Sequence, residues 1–141
     1  MLRRVIPLAA LAVVALGAVP ASASPSVVTP KSASGCTGET VCINVVGSGL
    51  HVDKVSGGVA VSGGVAQNHK WCGNVEITIT SGGNTYYDKT SPKGCANAVT
   101  PYDYSVSPNA NYPNGSKVCL YAHTDSGWDK PGGPACETVH S

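Results

Sequence analysis

Asn74-Val75-Glu76-Ile77-Thr78-Ile79-Thr80 runs into Ser81-Gly82-Gly83 and then into Asn84-Thr85-Tyr86-Tyr87-Asp88-Lys89-Thr90. In the first run apolar and polar residues alternate, which is the period of a strand with one buried and one wet face. Both runs are rich in β-branched and aromatic residues, and the adjacent glycines supply the positive φ angles that a two-residue hairpin turn needs. With Gly82-Gly83 as the turn, Ser81 faces Asn84. An unbroken ladder then pairs Ile79 with Tyr86 on an apolar face and Glu76 with Lys89 on a charged one.

The same pattern extends in both directions. From Cys36 onward, Gly, Ser, Asn and Pro recur roughly every 8 to 12 residues between short runs of Val, Ile, Thr and Tyr, the rhythm of an all-β sandwich. No stretch holds apolar residues at helical spacing for three turns. A second hairpin is predicted from residues 116–122 to 135–139, after the turn Pro113-Asn114-Gly115. Setting Cys119 against Cys136 pairs Leu120 with Ala135 and Val118 with Glu137, and leaves residues 123–134 as a long loop. Residues 41–46 and 50–55 form earlier strands, split by Gly47-Ser48-Gly49. Residues 55–60 and 61–66 both read Val-Ser-Gly-Gly-Val-Ala. Two copies are too few for a solenoid, so the repeat reads as a connector lengthened by duplication.

The other end of the chain sets the compartment. Arg3-Arg4 precedes an apolar run over residues 5–19 and then Ala21-Ser22-Ala23, the layout of an export signal cleaved after Ala23. The run is too short to cross a bilayer core of about 30 Å as a helix. The arginine pair also fits a twin-arginine signal, although its neighbours do not otherwise support one. Cleavage leaves 118 of the 141 residues, the size of one domain. Residues 24–35 are polar, Pro-containing and aperiodic and read as a disordered leader, with a single immunoglobulin-like β-sandwich domain over residues 36–141. All six cysteines follow the signal, as suits an oxidising compartment.

Both arginines lie in the signal, so seven lysines face eight carboxylates in the mature chain and its net charge is −1. The lysines are dispersed, which argues against nucleic acid as a partner. Neither a lipid anchor nor a C-terminal membrane anchor is indicated. A freely released extracellular monomer is the expectation. With no Phe and only two Trp, the core is short of bulk, and cross-links worth roughly 2 to 4 kcal/mol each would compensate.

Six cysteines allow fifteen pairings. Hairpin symmetry favours Cys36 with Cys42, Cys72 with Cys95 and Cys119 with Cys136. Cys72 and Cys95 flank the Gly82-Gly83 turn with an offset of two residues that a bulge could absorb. A rival set joins Cys42 to Cys119 between sheets, in the immunoglobulin manner. Zinc is not expected, since no Cys-x-x-Cys pair exists.

Val41-Cys42-Ile43-Asn44-Val45-Val46-Gly47-Ser48-Gly49-Leu50, Pro113-Asn114-Gly115-Ser116-Lys117-Val118-Cys119 and Gly133-Pro134-Ala135-Cys136 together resemble a family of small secreted actinobacterial proteins with disulfides. The resemblance implies a source and a compartment, and no mechanism. The strand ending in Gly47-Ser48-Gly49-Leu50 is also similar to the apoproteins of enediyne chromoproteins, secreted sandwiches that hold a drug in a cleft.

Chemistry is sparse. Thr124-Asp125-Ser126-Gly127-Trp128 resembles the nucleophile region of trypsin-like proteases, with His51 and Asp53 as imaginable partners. One small domain cannot supply the two barrels, and Trp128 replaces the glycine that shapes the oxyanion site. His51-Val52-Asp53 and His123-Thr124-Asp125 each put two metal-ligating side chains on one side of an extended chain, but His and Asp are ordinary turn and strand-end residues and solvated surface positions are the favoured reading. No metal or cofactor is expected. The binding candidates are aromatic: Trp128 in a polar Gly-Pro loop, Tyr102 and Tyr104 on one face of a strand, and Tyr112 near the next turn. Lys130 in the same loop suits a protease inhibitor, although Pro131 after it is poorly accepted at a scissile bond. The expected function is non-catalytic binding of a cell-surface, carbohydrate or protein ligand, with a protease inhibitor or antibacterial protein as the alternative.

Overall fold

The structure is a computed structural model and describes residues 32–38, 40–61, 70–128 and 130–141. The export signal, the leader through Lys31 and most of the second repeat copy lie outside the described residues. Ten strands follow in order: β1 (Ala33–Thr37), β2 (Val41–Ser48), β3 (His51–Val59), β4 (Lys70–Ser81), β5 (Asn84–Thr90), β6 (Gly94–Asn97), β7 (Tyr102–Val106), β8 (Ala110–Asn111), β9 (Lys117–Thr124) and β10 (Ala135–Thr138). Among the described residues there is no helix. The strands form two antiparallel sheets, one in the order β1-β2-β3-β7 with β8 also on β3, the other β10-β9-β4-β5 with β6 also on β4.

Alternation builds the core. Val41, Ile43 and Val45 of β2 and Val52, Val55 and Val59 of β3 turn inward from the first sheet. Trp71, Val75, Ile77 and Ile79 of β4 meet them with Val118 and Leu120 of β9. Burying a Val or Ile side chain contributes about 1.5 to 3 kcal/mol, which makes these small residues the main source of cohesion in a core without Phe.

The three bridges join Cys36 to Cys42, Cys72 to Cys95 and Cys119 to Cys136. Each links directly opposed residues of neighbouring strands, so every bridge lies within one sheet and none spans the core. The terminal hairpin has the predicted register, with Leu120 opposite Ala135 and Val118 opposite Glu137.

The Gly82-Gly83 hairpin departs from its simple ladder. Gly82 and Gly83 have φ of 56° and 81° and Ser81 faces Asn84. One extra residue, Tyr86, then enters β5, so Ile79 pairs with Tyr87 and Ile77 with Lys89. The bulge turns Tyr86 outward and delivers Tyr87 to the core edge. Glu76, no longer opposite Lys89, instead accepts a bond from His123 Nε2 at 2.6 Å. The cysteine offset of two residues is thus taken up in two steps. The Tyr86 bulge supplies one; the second falls at Pro92-Lys93, between the Val75–Ser91 backbone bond and the Gly73–Gly94 pair.

Two further boundaries shift. The first strand begins at Ala33, so Ala33, Ser34 and Gly35 pair with β2 and belong to the domain rather than to a leader. Small residues hid the alternation there. The first repeat copy is also part of β3 and not a connector: Val55 and Val59 are buried, and Cβ atoms at Gly57 or Gly58 would run into the carbonyls of Cys42 and Tyr102. The glycines permit close strand approach.

Candidate functional site

The connection from β9 to β10, residues 125–134, is long but attached at both sides. Where it leaves β9, the Asp125 N–H donates to the Cys72 carbonyl at 2.9 Å and its carboxylate receives Lys93 Nζ at 2.8 and 3.0 Å. Where it returns, Gly132 N–H donates to Thr40 Oγ1 at 3.1 Å and Thr37 Oγ1 donates to the Pro134 carbonyl at 2.8 Å. Cys119–Cys136 closes its base. The loop is therefore fixed to both sheets, through Cys72 and Lys93 on one and Thr37 and Thr40 on the other. At its tip Gly127 takes φ of 87° and Trp128 follows, 41% exposed.

Val99, 79% exposed, lies at the same end of the sandwich, because Lys70 pairs with Asn97 and Gly73 with Thr124 on the shared strand β4. Its turn is set by Asn97, whose Oδ1 accepts from the backbone N–H groups of Val99 and Thr100 at 2.9 and 2.8 Å. Two apolar side chains are thus presented on segments flanked by hydrogen-bonded backbone. Such preorganisation lowers the entropic cost of binding.

The three tyrosines grouped with Trp128 by sequence are placed differently. Tyr102 is half-buried: its ring lies 5.6 Å from that of Trp71, a Cβ at Gly94 would strike it, and its hydroxyl donates to the Pro92 carbonyl at 2.6 Å. It pins the β6–β7 corner. Tyr104 is half-buried and packs on the core, and Tyr112 is 7% exposed within it. Tyr112 is drawn in because its N–H bonds the Leu50 carbonyl at 2.9 Å, which folds the chain back over the β2–β3 turn. These rings supply the bulk that Phe would otherwise give. Tyr87 of β5, missed by sequence, joins them at the edge of the core. Burial raises the phenol pKa values of Tyr87 and Tyr112, and neighbouring Tyr104 and Tyr87 respectively add to the shift.

On the outer face of the first sheet a shallow trough of about 590 Å³ crosses four strands. The paired residues Ser34, Asn44, Ser56 and Ser105 form one row across it, and Cys36, Cys42, Gly58 and Asp103 the next. Among the described residues its lining is mainly short hydroxyl and amide groups, glycines and the single carboxylate of Asp103. Trp128 does not line the trough, although the loop that carries it is bonded to Thr37 beside Cys36.

The two His-x-Asp pairs do not converge. His51 and Asp53 approach at 3.3 Å beside β8, whereas His123 turns to Glu76 and Asp125 to Lys93. Ser126 lies in the β9–β10 loop, at the opposite end from His51. Among the described residues no group of three or more His, Cys, Asp or Glu is arranged to hold a metal ion. A scan against protein-family models found no match, and neither did searches of curated proteins and of solved structures.

Proposed function

We propose that the chain is a secreted, non-catalytic binding module that engages an extracellular carbohydrate or protein ligand through the loop end centred on Trp128. The observation that carries this reading is an indole left 41% exposed on a loop fixed at both sides and closed by a disulfide. A mobile exposed Trp would lose much of its contact energy to ordering; one held in place is the usual anatomy of an interface anchor. Export is supported by the signal-like N-terminus and by cysteines that all form bridges among the described residues.

A protease inhibitor is the second reading, because the same anchored loop presents Lys130 between Trp128 and Pro131. Panels of hydrolase substrates and of trypsin-like proteases separate the two readings. The binding reading expects no turnover and no inhibition, together with retention on a glycan or protein array. Hydrolysis abolished by changing a single His or Asp would overturn it, and inhibition lost in Lys130→Ala would transfer the function to the second reading.

A further inference from the structure

We propose that His51 is a pH-sensitive clamp, tying the short strand β8 to the β2–β3 turn while its imidazole is protonated and loosening it when neutral. His51 opens β3 directly after the turn, and both ring nitrogens face oxygens. Nδ1 lies 3.0 Å from Asn111 Oδ1; Nε2 lies 3.2 Å from Asn109 Oδ1 and 3.3 Å from Asp53 Oδ1. A neutral imidazole has one N–H, so it can donate to only one of these sides, and the other nitrogen would set a lone pair against an oxygen. With both asparagine oxygens turned to the ring, only the imidazolium can donate on both sides.

The geometry is directed at a weak place in the fold. β8 has two residues, Ala110 and Asn111, paired with Val52 and His51. Asn109 before it holds φ at 48°, a left-handed conformation that Asn tolerates better than most residues. His51 therefore bonds the residue that sets the bend and the residue that ends the strand, whose other residue, Ala110, pairs with the buried Val52.

The other titratable groups around the clamp are few. Asp53 is its neighbour on β3; Glu137 and His140, from the C-terminal segment, line the same cavity of about 230 Å³ between the sheets. Ser48, across the turn, is uncharged, and Tyr112 follows β8. The bonds to Asn109 and then Asn111, with a smaller contribution from Asp53, outweigh desolvation and raise the His51 pKa above its usual value of 6.5. With the folded value raised, the clamp's contribution is fully present below the unfolded pKa and fades as pH rises through the folded one.

The test is carried out on the full mature chain by NMR. The His51 ring should titrate above the ordinary midpoint of about 6.5. Exchange of the Tyr112 amide, corrected for intrinsic rate, should quicken between about pH 5.5 and pH 8, by up to about tenfold for each unit of raised pKa. His51→Gln keeps a polar side chain but cannot titrate, and should show that faster exchange at both pH values. His140→Gln and Glu137→Gln should leave the pH dependence in place. A His51 midpoint at or below the ordinary value would overturn the proposal. So would Tyr112 exchange that is equally slow at both pH values, as an asparagine amide turned to offer its NH2 to the bare nitrogen would produce, or a pH dependence that persists in His51→Gln.

Discussion

The two tryptophans lie at the same end of the molecule and have opposite surroundings. Trp71 is 1% exposed on β4, donates from Nε1 to Thr124 Oγ1 at 2.9 Å and packs on Tyr102. Trp128, four residues beyond Thr124, is 41% exposed and belongs to no core cluster. Thr124 marks the divide: its hydroxyl satisfies the buried indole, and just after it the chain leaves the sheet to present the other. The contrast shows that in this small core one large ring is fully used for cohesion, while the second stays partly exposed on a loop that a disulfide and hydrogen bonds attach at both sides without it.

That contrast breaks most visibly at Trp71. Trp71→Ala should cost about 3 to 5 kcal/mol, read from denaturant unfolding, because it leaves a cavity beside Tyr102 and over Gly73. Removing the staple of the other tryptophan's loop comes next. Cys119→Ser with Cys136→Ser should cost about 3 kcal/mol on the chain-entropy estimate for the bridge's separation of 17 residues. A thermal melt unchanged by full reduction of the protein would contradict the weight given to the bridges. Thr124→Val keeps the side-chain shape but leaves Trp71 Nε1 unpaired, and should cost about 1 to 3 kcal/mol, with blunted near-ultraviolet indole dichroism as the companion signal.

Sequence carried these contrasts unevenly. Cysteine pairing could be read because each pair brackets a single turn or hairpin; Cys119 and Cys136 then fall opposite each other in the predicted register, whereas Cys72 and Cys95 meet only through the two residues added along the way. The Tyr86 bulge could not be read, since Tyr86 and Tyr87 are identical and either could face inward; it is Tyr87 that packs on the core, a choice that local sequence does not carry. The inward position opposite Ile77 consequently holds Lys89, a charge at the rim of an exposed edge strand that discourages pairing with another chain. β1 escaped notice because Ala33, Ser34 and Gly35 show no hydrophobic contrast. Tyr112 looked available because it follows a strand and precedes Pro113, and only the return over Leu50 buries it. Trp128 was legible from local composition, for Asp125, Ser126, Gly127 and Pro131 offer nothing to pack around it.

The most direct test of the binding reading is Trp128→Ala, measured for stability and for affinity to a ligand retained from a glycan or protein panel. Stability should stay within about 1 kcal/mol of the parent, while affinity falls by about 2 kcal/mol or more, roughly thirtyfold. If instead the variant loses about 3 to 5 kcal/mol of stability, as a buried aromatic would, or binds the ligand unchanged, Trp128 is not the anchor of this surface.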